Sequence, residues 1–149
     1  MLKRGIIAAA AFLVAMPAMA ADYIANSAEI VKKANWDKMQ TVEVTLKEHS
    51  YEPEEIKLKA NQPYKIVLRN KGEKPHYWTA AEFFKNIATR KGQTKEAEFK
   101  VPYFNAVEVN PGGVVDLFIV PVTPGTYQVF CTIDDHREKG MDGKIIIEE

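Results

Sequence analysis

Cysteine and histidine are scarce in this chain, with one Cys and three His among 149 residues. A zinc finger, a disulfide scaffold or a multi-copper cluster needs more of these ligands than are available. An excess of one charge is missing too, because twenty basic side chains face twenty acidic ones. That balance excludes the basic footprint of a nucleic-acid binder. No internal repeat and no low-complexity tract interrupts the sequence, and its one long apolar run is confined to the first twenty residues. What is present is 46% apolar content with seven Phe, six Tyr and two Trp. This suffices for a packed core and rules out wholesale disorder and fibrous repeats. The length fits one globular domain.

Residues 1–20 have the organisation of a secretory signal peptide. Lys3 and Arg4 form a positive start, Ile6 to Val14 an apolar stretch, and Ala18-Met19-Ala20 a small-residue cleavage site before Ala21. An uncleaved anchor is the alternative, but a spanning helix wants ~20 apolar residues and this run is shorter, with Pro17 near its end. The expectation is an exported, periplasmic protein with no membrane span in its mature form. Without Lys3 and Arg4 the chain has eighteen basic against twenty acidic groups. Export makes Cys131 informative, since a lone Cys in an oxidising compartment is an intermolecular bridge, a buried passenger or a working thiolate.

Residues 21–39 form an N-terminal arm in which Ile24, Ala28, Val31 and Ala34 recur at helical spacing, with Ser27 as a candidate cap. From Thr41 the period becomes two. Val42, Val44 and Leu46, then Ile56 and Leu58, then Ile66 and Leu68 predict three strands, broken at Tyr51-Glu52-Pro53 and Asn61-Gln62-Pro63. Further strands are expected over 106–109, 114–120, 126–131 and 143–148, with turns at Asn110-Pro111-Gly112-Gly113 and Pro124-Gly125. Short strands at this spacing indicate an all-β sandwich. Thr79-Ala80-Ala81-Glu82 reads as a capping box opening a short helix that carries Phe83, Phe84 and Ile87 on one face. Lys85, Arg90, Lys91 and Lys95 follow without an acidic residue, either as a positive patch or as a solvated helix face.

The chemistry is concentrated in Cys131-x4-His136-x4-Met141, a loop that leaves one strand and ends where the next begins. His76 follows another strand far upstream. Adjacent strand ends could gather all four. Two imidazoles, a thiolate and a weak thioether make the donor set of a trigonal blue-copper centre, whereas zinc rarely takes Met. Singly, each residue has a plainer reading: a buried Cys or Met in the core, a His at the surface. The order and spacing of the four together favour the metal.

Residues 40–149 resemble the cupredoxins, the group of plastocyanin, azurin and rusticyanin. The resemblance rests on Tyr51-Glu52-Pro53-Glu54-Glu55-Ile56, on Ile66 to Asn70 followed by His76, and on Gly125-Thr126-Tyr127, Cys131, His136, Gly140-Met141 and Gly143. The ligand-loop spacing is most similar to rusticyanin. The resemblance implies a Greek-key β-sandwich with a short N-terminal helix or arm and a short helix after the first ligand histidine. It implies one mononuclear type 1 copper site held by His76, Cys131, His136 and Met141. Two departures stand out. Tyr77 replaces the Asn that commonly follows the first His and braces the ligand loop. Asp134-Asp135 replaces the frequent Pro-Gly before the second His, which puts Asp134, Asp135 and Glu138 around His136, against Arg137 and Lys139, in place of an apolar docking face.

The leading expectation is a monomeric one-electron carrier rather than an enzyme, with His136 as the solvent-side electron exit. Tyr127, Val129 and Phe130 lead from the core to Cys131. The partner would be a redox protein such as a cytochrome with a basic face. The alternative is copper-dependent oxidation of ferrous iron beside an iron-uptake permease system. Asp134 and Asp135 would hold the hard cation, with Glu82 either contributing or capping its helix. This alternative draws on a resemblance to exported cupredoxins of bacterial iron uptake, carried by the run from His76 to Phe84. A third class is a copper chaperone or store, but Met39 and Met141 are the only methionines after residue 20, so Met-rich tracts for Cu(I) are missing. His49 belongs to none of these schemes and is expected at the surface.

Overall fold

The computed structural model describes residues 23–149. The signal-peptide reading therefore lies outside the described residues. The arm contains a two-turn helix, α1 (Ser27–Lys33), and a single 3₁₀ turn (Trp36–Lys38). Asn26 rather than Ser27 precedes the first helical residue. The helix lies against two strands of the sandwich, and Arg90 places its guanidinium 4.5 Å from the centre of the Trp36 ring.

Eleven strands follow. Six form one sheet: β1 (Gln40–Lys47), β2 (Ser50–Glu52), β4 (Tyr64–Asn70), β6 (Ile87–Gln93), β7 (Glu98–Phe99) and β9 (Val114–Pro121), in the order β2-β1-β4-β9-β6-β7. Five form the other: β3 (Glu55–Lys59), β5 (His76–Thr79), β8 (Ala106–Val109), β10 (Gly125–Phe130) and β11 (Asp142–Glu148), in the order β3-β11-β10-β5-β8. The chain switches repeatedly between sheets, so β1 pairs parallel with β4 and β3 parallel with β11 within otherwise antiparallel layers. The all-β sandwich expected from the period-two pattern is present.

Alternation decides which side chains meet between the sheets. Leu46, Ile66, Leu68, Leu117 and Ile119 of the first sheet face Leu58, Trp78, Ile145 and Ile147 of the second, all at 2% exposure or less. Burying a side chain of this size contributes about 1.5–3 kcal/mol. The sandwich is closed at one end by α2 (Ala81–Lys85), whose Phe83 and Phe84 each meet Trp78 with ring centroids 5.8 Å apart.

Two details of this region differ from the sequence reading. The capping box does not form: Thr79 is the last residue of β5, Ala80 precedes α2 with no side-chain cap, and Glu82 pairs with Lys85 at 2.8 Å. Ile87 begins β6 instead of extending the helix, because a five-residue helix is already ended by Asn86, whose Nδ2 donates to the Glu82 carbonyl. The basic residues accordingly do not share a helix face. Arg90 lies over Trp36, and Lys91 contacts Glu98 at 2.6 Å and lies over the Phe118 ring.

Candidate metal centre

The segment between β4 and β5 delivers His76. Asn70, at the end of β4 and 1% exposed, donates through Nδ2 to the carbonyls of Lys74 (2.7 Å) and Val109 (2.8 Å), while its Oδ1 accepts the Gly72 N–H (2.8 Å). One buried amide thus winds the loop that feeds β5. A carboxylate completes it: Glu48 Oε1 accepts from the backbone N–H of Glu73 (2.9 Å) and Lys74 (2.8 Å) and lies 3.0 Å from His76 Nε2. Burial pushes the Glu48 carboxyl up, but the hydrogen bonds from Lys74, its own N–H, His76 and Glu73 outweigh it and hold the group at about 2. Glu48 is ionised at neutral pH.

Cys131 and Met141 come from the β10–β11 hairpin. Phe130 pairs with Asp142, and one step further the Cys131 N–H donates to the Met141 carbonyl at 3.0 Å. The loop between them folds on itself, with the His136 N–H on the Ile133 carbonyl and the Met141 N–H on the His136 carbonyl, both at 3.0 Å. Asp134 takes a left-handed backbone conformation (φ 43°) that reverses the chain before His136. Such a turn suits a short polar side chain that can bond locally.

These two loops converge. One donor atom from each of His76, Cys131 and His136 lies within 4.8 Å of the others, and all three residues are buried. Cys131 Sγ is 3.5 Å from His136 Nδ1 and accepts the Tyr77 N–H at 3.4 Å. Met141 is fully buried and joined by its backbone to both Cys131 and His136. Burial first, then the charges of His76, His49 and Lys74, depress the His136 imidazole below its ordinary value, with Asp134 opposing. The His136 ring is thereby suited to offering a lone pair. Tyr51, buried under the site, donates to the Tyr77 carbonyl at 2.5 Å and stays neutral, because burial and then Cys131 and Asp142 push its phenol far up.

The donor set fits a soft or borderline metal. His76 Nδ1 is buried with no hydrogen-bond partner among the described residues, while Nε2 of the same ring is engaged by Glu48. A buried ring nitrogen left open beside a cysteine sulfur and a second imidazole matches what a bound cation would satisfy.

The sequence matches the cupredoxin-like domain model over residues 6–147. The chain belongs to the cupredoxin-like family. Among solved structures, the chain is similar to auracyanin B, at 18% identity over 74% of this chain and 89% of that one, with a TM-score of 0.53. A dithionite-reduced auracyanin from the photosynthetic bacterium Roseiflexus castenholzii has the same identity and TM-score over 78% and 99%. The McoA multicopper oxidase from the hyperthermophile Aquifex aeolicus aligns at 14% identity and TM-score 0.62, over 77% of this chain. This cupredoxin spans about 30% of the length of that oxidase. No curated protein sequence matches the chain.

Against this family frame, the other site residues sort clearly. Asp134, Asp135 and Glu138 are exposed on the ligand loop, but Asp135 is held by Lys139 at 2.9 Å. Arg137 pairs with Asp142 at 2.8 Å and covers the Phe130 ring. The acidic residues thus alternate with paired cations. Glu82 sits on α2 with Lys85, and among the described residues no hydrogen bond joins it to a candidate ligand. A contact between Thr79 Oγ1 and Thr132 Oγ1 (3.3 Å) joins the loop that follows Cys131 to β5.

Two expectations are corrected. His136 is 1% exposed instead of facing solvent, and His49 is not a free surface residue: its ring packs edge-on against His136, centroids 4.7 Å apart. Both follow from the short β1–β2 hairpin, which brings Glu48 and His49 beside the candidate ligands His76 and His136. Nothing in the sequence around Glu48 marks it. Its contact with His76 spans 28 residues and leaves no local signal.

Proposed function

We propose that this cupredoxin binds one copper ion through His76, Cys131 and His136, with Met141 as a weak fourth donor, and works as an exported one-electron carrier. The observation that carries the reading is the buried convergence of two imidazoles and one thiolate, with His76 Nδ1 left open. Copper supplies the Cu(II)/Cu(I) couple when bound. The residues hold a fixed frame around it. Asn70 and Glu48 pin the His76 loop, the β10–β11 register pins Cys131 and Met141, and the Tyr77 N–H lies on the sulfur. A frame bonded this thoroughly changes little between oxidation states, which keeps reorganisation small.

An electron leaves by way of His136 and the His49 ring packed on it, so a redox partner such as a cytochrome docks over His49 and the acidic rim of the ligand loop. Oxidation of ferrous iron beside a permease has less support. It asks Asp134 and Asp135 to hold a cation against an open His136, whereas Asp135 is bound to Lys139 and His136 is covered. The chaperone reading has less again, since a fully buried donor set suits retention better than transfer. Anaerobic mixing of the Cu(II)-loaded protein with a reduced cytochrome and, separately, with Fe(II) tests the choice. Rapid discharge by the cytochrome with slow, non-saturating reaction with Fe(II) is expected. Saturable bleaching by Fe(II) that vanishes with Asp134→Asn and Asp135→Asn overturns the carrier assignment.

A further inference from the structure

Among the described residues, Glu48 is the one acidic side chain with a hydrogen bond to a candidate ligand. A single oxygen, Oε1, faces His76 Nε2 at 3.0 Å and accepts two backbone N–H groups, from Glu73 and Lys74. The carboxylate also occupies the space beside Gly72, where any Cβ would collide with both of its oxygens. Position and orientation are fixed from the end of β1, a strand of the sheet opposite the one that carries His76.

This geometry dictates which ring nitrogen holds the proton. A carboxylate oxygen that already accepts two N–H groups offers no proton, so His76 must donate from Nε2. Its lone pair then lies on Nδ1, the atom that is buried and open. A charge-assisted bond at Nε2 also draws that proton outward and enriches the ring in electrons, as in the carboxylate–histidine arrangements of other metal sites.

We propose that Glu48 is a positioning residue of the metal centre. It fixes His76 as the Nε2–H tautomer and strengthens Nδ1 as a donor, so that Cu(II) is favoured over Cu(I) and the reduction potential is set lower than a neutral partner would set it. The inference rests on the copper reading above for its redox half, and on the protein alone for its tautomer half. A purely structural role is separable, because Glu48→Gln keeps an amide oxygen for the Glu73 and Lys74 N–H groups while removing the charge.

The test compares the copper-loaded wild type with Glu48→Gln, and with Glu43→Gln as a control that removes one charge from β1, the strand just before Glu48, where Glu43 pairs with Arg69. Nitrogen NMR of the metal-free wild type reports the His76 tautomer independently. The expected result is an Nε2–H His76 and a Glu48→Gln protein whose Cu(II) affinity falls roughly tenfold relative to Cu(I). That is a rise of about 59 mV for a one-electron couple. Glu43→Gln should match the wild type. An unchanged potential in Glu48→Gln overturns the electronic role, and an Nδ1–H His76 overturns the positioning role. Failure of the wild type to give a thiolate-to-copper band would instead remove the copper reading and leave the tautomer result to decide Glu48.

Discussion

The ring of His49 meets the ring of His136 edge-on at a centroid distance of 4.7 Å and an interplanar angle of 62°, and His136 is left 1% exposed beneath the β1–β2 hairpin. His49 therefore stands where the exposed ligand histidine was expected. Its Nε2 is buried without a partner among the described residues, a cost of about 1–3 kcal/mol for a group left unpaired.

His49→Phe keeps an aromatic ring on His136 and removes the orphaned nitrogen. Its metal-free form should unfold at the same or higher urea concentration than the wild type, by up to about 1 kcal/mol. His49→Ala should open His136 to water and speed reduction of the copper-loaded protein by ascorbate severalfold, with His49→Phe near the wild-type rate. Equal rates in all three would show that His49 does not cover the route.

Acid should loosen the metal-free protein through His136. Its imidazole is held below the ordinary value of 6.5, first by burial, so the unfolded chain binds its proton more readily. Stability from this source is complete above pH 6.5 and is lost as pH falls through the folded value. Glu48, held at about 2 against an ordinary 4.5, adds a further loss below pH 4.5. Urea midpoints at pH 7.5, 6 and 5 should fall in that order. His136→Asn should flatten the upper part of the decline.

Met141 is a fully buried side chain at the end of the ligand loop. Met141→Leu conserves volume and should cost under about 1.5 kcal/mol; in the copper-loaded protein it should keep the thiolate-to-copper band and shift the potential, because the thioether that would serve as a weak donor is removed. Met141→Ala should cost about 2–5 kcal/mol. Thermal unfolding and voltammetry of the two variants separate packing from ligation.

Asp134 is the non-glycine residue of the loop that takes a left-handed backbone conformation, beside Gly140 at φ 108°. Asp134→Asn should retain the wild-type Tm, because Asn tolerates this conformation. Asp134→Val should lose roughly 1–2 kcal/mol, and its copper site should become heterogeneous in the Cu(II) EPR spectrum. A wild-type Tm for Asp134→Val would contradict the conformational reading.

The sandwich was legible where alternation is carried by aliphatic residues. The expected strands over 106–109, 114–120 and 143–148 match β8, β9 and β11 to within one residue. Strands whose inward positions are polar or small were hidden. β5 alternates His76 and Trp78 inward with Tyr77 and Thr79 outward, a pattern masked because the inward His reads as polar. The start of β6 is masked because Ile87 is spaced with Phe83 and Phe84 for one helical face. The candidate metal centre was legible for a different reason: Cys131, His136 and Met141 fall close together in the sequence, and their side-chain chemistry points to a soft-metal donor set. Its surroundings were not. Glu48 and His49 reach the centre from a hairpin more than eighty residues before Cys131, through contacts that no sequence spacing encodes.

The most direct test of the account is the visible spectrum of the protein with one equivalent of Cu(II), recorded beside Cys131→Ser. The account predicts an intense thiolate-to-copper charge-transfer band at a stoichiometry of one copper per chain, absent from Cys131→Ser although that variant remains folded. A copper-loaded wild type without such a band, or an equal band in Cys131→Ser, would contradict it.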